Sequence, residues 1–312
     1  MNAVRTVLGD VPADGLGAVN YHEHVFQISP LLPGDDLDDF DRSAQEFSLL
    51  RESGFLSVID ATPIGLGRRP GDLQEVSRRT GLTIIASTGA HRHEHYADDH
   101  WLVQLSEKAL TDLFLSEVAI GMRRIDEPSV LEIVPTCRAG MVKTGIGYWK
   151  IGSFERRVLN AAAQTHRATG CPIMVHLEGG TAAHEVLDVL DAEEVDLNGV
   201  VLAHIDRNPD PFLHAELASR GAYLGYDGFA RPKDHPDSVV IACLIEAAEL
   251  GASDRILVGG DVARRTRYIA YGGIPGLAYL GNRVVPRLRA LDSSLAEAVL
   301  VDNPARLLGR FE

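Results

Sequence analysis

Residues 140–177 read GMVKTGIGYWKIGSFERRVLNAAAQTHRATGCPIMVHL, and this stretch decides the fold. A short apolar run, Gly140–Ile146, is followed by an amphipathic segment, Phe154–Thr169, and then by a second apolar run, Ile173–Leu177. Gly170 stands just after the amphipathic segment, where a helix C-terminus favours a residue tolerant of positive φ. Strand, helix and strand in that order imply parallel pairing. The unit recurs on both sides. Strands are predicted at Ala18–Val25, Ser57–Thr62, Thr83–Thr88, Val200–Ile205, Ala222–Tyr226 and Ile256–Gly260, which makes eight with the two above. Helices are predicted at Asp72–Thr80, Thr181–Glu194, Pro211–Arg220 and Asp237–Leu250, and Gly81, Gly221 and Gly251 follow three of them. Eight such units in 312 residues fit an α/β fold, a (β/α)8 TIM barrel forming a single domain over residues 1–312. A doubly wound open sheet is the rival, but the chain has no complete G-x-G-x-x-G and no G-x-x-x-x-G-K-[ST].

The spacing stretches in one place. Strand three ends near Thr88 and strand four begins near Gly140. That connection holds a helix, Ser106–Ile125, and a lid-like insertion around residues 89–105; long loops of this kind on a barrel commonly gate or select substrate.

Composition narrows the function classes. Apolar residues make up 45% and charged residues 24%, enough for a sizeable core and against wholesale disorder. The net charge of −14 gives no support for a nucleic-acid partner. Three widely spaced cysteines, Cys137, Cys171 and Cys243, without C-x-x-C, speak against a disulfide framework or a thiolate zinc site. The start lacks a signal peptide's apolar core, and no apolar run reaches the ~18 residues of a membrane span. A cytoplasmic protein with no membrane partner is expected. Only four of the 30 basic residues are lysine, so a lysine inside an apolar strand is not there by abundance.

Barrel chemistry sits at the C-terminal ends of strands. Strand one ends in Tyr21-His22-Glu23-His24, and residues two apart share a face, so His22 and His24 can both point into the mouth. Strand five ends at His176, strand six at His204 and strand eight at Asp261, and strand four carries Lys143. Four histidines and an aspartate at one mouth form the ligand set of a divalent metal such as zinc, manganese or cobalt. Each histidine alone reads equally as a hydrogen-bonded core residue; their joint placement carries the argument. Lys143 reads either as a buried lysine paired with a carboxylate or as a neutral amine able to form an anionic carbamate with carbon dioxide, since burial lowers the amine pKa. The run His91-Arg92-His93-Glu94-His95, with His100, reads better as a polar lid whose His91 enters the pocket than as a second metal site. No G-x-S-x-G and no H-E-x-x-H occur.

The chain resembles the phosphotriesterase family of the amidohydrolase superfamily. The resemblance runs over nearly the whole chain, through Asn20-Tyr21-His22-Glu23-His24, Pro63-Ile64-Gly65-Leu66-Gly67-Arg68, Ser87-Thr88-Gly89, the strand-four lysine and Asp302-Asn303-Pro304-Ala305-Arg306. The stretches His204-Ile205-Asp206-Arg207-Asn208-Pro209-Asp210, Gly259-Gly260-Asp261 and Gly273–Leu280 resemble its phosphotriesterase-related branch. The resemblance implies two divalent metal ions, zinc foremost, with manganese, cobalt or iron as alternatives. His22, His24 and Asp261 would hold the buried ion, His176 and His204 the more exposed one, and the Lys143 carbamate would bridge both together with a shared hydroxide. Asp261 would be the catalytic residue, taking a proton from the attacking water. Two departures stand out. His91 occupies a position where lactonases of the family carry tyrosine, and Gly228 follows Asp227 where acyl-homoserine lactonases carry arginine.

The loops after strands four, six, seven and eight hold Lys150, Arg207, Arg231, Lys233, Arg264, Arg265 and Arg267, a local reversal in an acidic chain. A cationic mouth suits a carboxylate, sulfonate or phosphate on the substrate. The alternative is that Asp206, Asp210 and Asp234 neutralise several of these groups. Tyr148, Trp149, Tyr226, Phe229 and Tyr268 are candidates for an apolar wall. His91, Tyr148, Arg207 and Arg264 are the expected substrate contacts. The expected activity is hydrolysis of a small ester, lactone or phosphoester, on a small-molecule substrate. The alternatives are an amidase on N-acyl amino acid-like substrates and a non-catalytic metal-bearing barrel that binds a ligand. A homodimer is compatible with the resemblance.

Overall fold

Eight strands, β1 (Val19–Glu23), β2 (Ser57–Asp60), β3 (Thr83–Gly89), β4 (Met141–Ile146), β5 (Ile173–Leu177), β6 (Val200–Ala203), β7 (Tyr223–Tyr226) and β8 (Ile256–Val258), lie side by side in chain order in the computed structural model. Every neighbouring pair in this sheet is parallel. The structure describes residues 2–129 and 132–311. The outer ends of the domain expected over 1–312 therefore lie outside the described residues. Strands β1, β2, β4, β6, β7 and β8 are buried at every position, as parallel strands covered on both faces must be. This explains why they read as continuous apolar runs.

Helices α1 (Phe40–Glu52), α2 (Pro70–Thr80), α3 (Glu107–Ala119), α4 (Ser153–Thr169), α5 (Ala183–Ala192), α6 (Pro211–Ser219) and α7 (Asp237–Ala247) follow successive strands, and shorter helical pieces run from 280 to 308. Gly81 and Gly170 close α2 and α4 at φ 71° and 74°, the left-handed conformation that the sequence required there. Asp39 and Asp210 accept backbone N–H bonds at the N-termini of α1 and α6.

The barrel interior is filled in layers. Val19, Tyr21, Ile59, Ile85, Met141, Met174, Val201, Tyr223 and Leu257 form an inner apolar cluster, separate from the larger one between strands and helices. Alternation along a strand then lifts the next inward residue towards the mouth. Met141 is followed by Lys143, Met174 by His176, Tyr223 by Gly225 and Asp227, and Leu257 by Gly259 and Asp261. The two glycines are structural. A Cβ on Gly225 would strike the Tyr21 hydroxyl and one on Gly259 the Tyr21 ring, so both make room for a tyrosine lying across the barrel under the site.

The seam between β8 and β1 uses mixed bonds. Asp261 N donates to His22 O at 2.9 Å, Gly260 N to Asn20 Oδ1 at 3.3 Å and Val262 N to Glu23 Oε2 at 3.0 Å. The β1–β2 register shifts between Asn20 and Glu23. Tyr21 thereby belongs to the inner layer while His22 and His24 both reach the cavity.

Three features differ from the sequence reading. An antiparallel hairpin, Ala3–Thr6 with Gly9–Pro12, precedes the barrel. Helix α3 ends at Ala119 rather than Ile125, because Met122–Arg123 pairs with Ile133–Val134. The insertion at 89–105 holds two short helical turns, His93–His95 and Trp101–Gln104.

Candidate metal centre and active site

The C-terminal strand ends enclose a cavity of about 460 Å³. Its lining includes His22, His24, His91, Lys143, His176, His204, Arg207, Asp261 and Arg264, so nine of the ten expected site residues meet there. Tyr148 does not. It is 67% exposed and lies outside the cavity lining; the following residue, Trp149, takes φ 49° as the chain turns away after β4.

The imidazoles are oriented from behind. His22 Nδ1 lies 3.1 Å from Asp227 Oδ2, and His24 Nδ1 lies 2.8 Å from Thr62 Oγ1. Each ring therefore turns Nε2 towards Asp261, whose Oδ1 stands 3.7 Å from both nitrogens. His204 Nδ1 is 2.7 Å from the other oxygen of Asp227, which again leaves Nε2 as the free nitrogen. His176 is held the other way round, with Nε2 at 3.0 Å from Glu178 Oε2. Partners of this kind set tautomer and ring direction at metal sites; Asp227 and Thr62 are buried, whereas the Glu178 side chain is 37% exposed.

These donors fit a cation. Ligand atoms of His22, His204 and Asp261 all lie within 4.8 Å of one another. Two ligands about 2.0–2.2 Å from one tetrahedral ion stand about 3.4 Å apart, close to the 3.7 Å seen between Asp261 and each of His22 and His24. Burial pushes His22 down to about 4 and holds His176 and His204 well below the ordinary imidazole value, so all three are neutral lone-pair donors near pH 7. Burial opposes ionisation of Asp261, but the imidazoles of His22 and His204, the bond from His24 and the Arg231 guanidinium outweigh this and hold it well below the usual carboxylate range.

Lys143 is buried, with Nζ 3.2 Å from His22 Nε2 and 3.2 Å from Met174 Sδ. Its hydrogen-bond partners among the described residues include no carboxylate, so the ion pair allowed by the sequence is not formed. Burial pushes the amine down to about 8, which favours the neutral form that carbamate formation requires.

The backbone makes two local adjustments. Val201 and Ala203 face inward, so strict alternation would turn residue 204 outward. His204 instead adopts φ 67°, and this left-handed turn swings its ring into the cavity; Asp261 has φ 42°. Such conformations in non-glycine residues cluster at functional sites.

The cationic wall is narrower than the sequence suggested. Arg207, Arg231, Arg264 and Arg92 line the cavity, whereas Lys150, Lys233, Arg265 and Arg267 do not. Among the described residues Asp206, Asp210 and Asp234 form no ion pair with the lining arginines, although buried Asp206 lies near enough to Arg207 to favour its charge. Asp206 accepts from the backbone N–H groups of Asp227 and Gly228, and Asp210 caps α6. Arg207 and Arg231 instead donate to Asp261 Oδ2, each at 2.8 Å, and Arg264 stands 3.8 Å from Asp35. The expected aromatic wall is also replaced. Tyr226 and Tyr268 are buried behind the site, the first on His214 and the second on the carbonyl of His24, while Leu31, Leu32, Pro63, Leu66 and Val262 supply the apolar lining.

Sequence reasoning missed Asp227 and Tyr21 as supports. Asp227 is fully buried and accepts from His22, His204 and the Tyr21 hydroxyl. Its place at the end of β7 was the available signal, by the same strand-end rule that found the histidines.

Comparison with known proteins agrees with this geometry. A profile of the phosphotriesterase family matches residues 2–308. A phospho-furanose lactonase of Mycoplasmopsis synoviae is 29% identical, over 97% of this chain and 91% of that protein. An N-acetyltaurine hydrolase of Danio rerio is 26% identical, over 98% and 97%. Among solved structures, a lactonase from Listeria monocytogenes superposes with a TM-score of 0.90 at 31% identity, over 99% of this chain and 100% of the other. The Escherichia coli phosphotriesterase homology protein, complexed with phosphate in its active site, superposes with a TM-score of 0.83 at 27% identity, over 94% and 99%.

Proposed function

This chain belongs to the phosphotriesterase family, and from that premise we propose that it is a metal-dependent hydrolase of a lactone or ester carrying an anionic group. The observation that carries the reading is one cavity that brings His22, His24, His176, His204, Lys143 and Asp261 together with Arg207, Arg231 and Arg264. Hydrolysis of a lactone or ester is the activity type of the lactonase relatives. The anionic group rests on the arginines, on the word phospho in one relative's name and on phosphate in another's active site.

His22, His24 and Asp261 would hold one divalent cation, His176 and His204 a second, and a carbamate on Lys143 would bridge them, with zinc foremost. When bound, such ions supply Lewis acidity that acidifies water and polarises the scissile carbonyl. The chain's own groups do the rest. Asp227 and Thr62 keep three imidazoles in their donor tautomers. Asp261 takes the proton of the attacking water on a carboxylate oxygen and returns it to the leaving alkoxide. Arg231 and Arg264 bind the substrate's anion and fix its reach into the cavity.

A second reading, an amidase on an N-acyl amino acid-like substrate, has support in the N-acetyltaurine hydrolase relatives. One panel separates them: a phosphorylated sugar lactone, its unphosphorylated counterpart, a neutral aryl ester and N-acetyltaurine, each with metal-loaded protein. A charged hydrogen bond contributes about 1.5–3 kcal/mol, so the phosphorylated lactone should exceed the neutral one by about 10–100-fold in kcat/KM. Equal rates on both lactones would remove the anionic class, and turnover of N-acetyltaurine alone would favour the amidase.

A further inference from the structure

The insertion at 89–105 brings two imidazoles, His91 and His95, to the cavity, and a backbone bond fixes the tautomer of His91. His91 is 8% exposed and lines the cavity. Its backbone N–H donates at 3.0 Å to the Tyr96 hydroxyl, which itself donates to Ile64 O at 2.9 Å. Its ring lies between His95 and His176, with centroids 3.8 Å and 4.5 Å away. The backbone N–H of Arg92 donates to His91 Nδ1 at 2.8 Å. That nitrogen is therefore the lone-pair nitrogen, and the proton of the neutral ring resides on Nε2. Nδ1 also faces β4, within 3.2 Å of where a Cβ on Gly145 would stand. Nε2–H lies on the opposite edge of a ring that lines the cavity, and the described residues show no hydrogen bond from that N–H.

We propose that His91 is a catalytic residue of the hydrolysis, donating the Nε2–H hydrogen bond to the oxygen of the scissile carbonyl as it becomes an oxyanion. The proposal rests on the hydrolase reading above. His91 donates a hydrogen bond and keeps its proton. Loss of that proton would leave an imidazolate, and the bond from Arg92 N–H already occupies the other nitrogen. The atoms balance without it: water adds to the acyl carbon, the acyl–oxygen bond breaks, and the water's proton passes through Asp261 to the leaving oxygen. A preorganised donor aimed at developing charge is worth most in the transition state, so its loss acts on kcat more than on KM. The histidine-rich run in the insertion thereby acquires a division of labour. His91 lines the cavity next to His176, His95 lines it too and packs on the His91 ring with its own Nδ1 at 3.0 Å from Ser29 Oγ, and Arg92 ties the segment to Glu178.

The test compares His91→Phe and His91→Gln with the wild type, on the best ester or lactone from the substrate panel. Metal content and unfolding midpoint are measured on the same samples. The expected result for His91→Phe is a fall in kcat of about 10²–10³-fold with KM changed little. His91→Gln, which keeps an N–H donor, should recover at least tenfold of that loss. Independently of turnover, long-range proton–nitrogen correlation on histidine-labelled protein should show His91 protonated at Nε2 and bare at Nδ1. A proton on Nδ1, a kcat for His91→Phe within threefold of wild type, or equal losses in both variants at unchanged metal content would overturn the proposal. Failure of the wild type to hydrolyse any member of the panel would instead refute the hydrolase reading.

Discussion

Asp227 links the two halves of the proposed metal centre, so replacing it perturbs both in a calculable way. One oxygen accepts from His204 Nδ1 at 2.7 Å, and the other from His22 Nδ1 at 3.1 Å and from the Tyr21 hydroxyl. The carboxylate is fully buried, and bonds from His204 and His22 outweigh the burial that opposes its ionisation, holding it well below the usual range. Asn at this position keeps one acceptor oxygen but points an amide N–H at a group that is itself a donor. Losing one outer partner of a metal-bound histidine costs about 10–100-fold in metal affinity or activity. Asp227→Asn should therefore weaken zinc binding by about 10–100-fold, and Asp227→Ala, which frees both histidines, by about 10²–10⁴-fold if the two act independently. Competition with a chelator of known affinity gives the dissociation constants, and the unfolding midpoint of the metal-free protein checks for collapse of the fold. Asp227→Asn binding zinc within threefold of wild type, or Asp227→Ala binding no more weakly than Asp227→Asn, would refute the view that this carboxylate orients both ligands.

Gly225→Ala drives a methyl into the Tyr21 hydroxyl; overpacking of this kind costs about 1–3 kcal/mol, to be read from urea unfolding, and an unchanged midpoint would mean that Tyr21 is not wedged. Arg264→Ala should raise KM for a phosphorylated lactone by about 10–100-fold and leave a neutral ester unaffected; equal effects on both would count against an anion contact. His214 is pushed down to about 4 by burial, against about 6.5 in the unfolded chain. The unfolded state then binds the extra proton, so wild-type stability declines as pH falls from about 6.5 towards 4. In His214→Gln this component is absent, and the stability gap between the two proteins should narrow over that range; a gap constant between pH 7 and pH 4 would contradict the assignment.

The barrel strands were legible because parallel strands buried on both faces leave continuous apolar runs, and the helix ends were legible at Gly81 and Gly170. The cavity histidines were legible because a strand end is also a cavity wall. His22, His24, His176 and His204 needed only that rule, although His204 reaches the cavity through a left-handed turn that no alternation predicts. What stayed hidden depends on contacts between strands far apart in sequence. The role of Asp227 exists only because β1, β6 and β7 bring His22, Tyr21 and His204 to it, and the purpose of Gly225 and Gly259 only because Tyr21 crosses the barrel. Loop direction was the other gap. Tyr148 and Trp149 read as pocket aromatics, yet the loop after β4 turns them to solvent at 67% and 62% exposure. The N-terminal hairpin went unread because Ala3–Thr6 and Gly9–Pro12 are four residues each, too short for a periodic signal.

The central claim, a two-cation hydrolytic centre, is tested most directly by metal content per chain. The protein would be produced in metal-supplemented medium, purified without an affinity tag or chelator, and measured by elemental analysis alongside ester hydrolysis. The account predicts about two equivalents of divalent metal per chain, with hydrolysis lost on chelation and restored by metal with bicarbonate. Content near zero that metal and bicarbonate do not restore, or hydrolysis that persists in the metal-free protein, would contradict it and leave His22, His24, His176 and His204 as core residues.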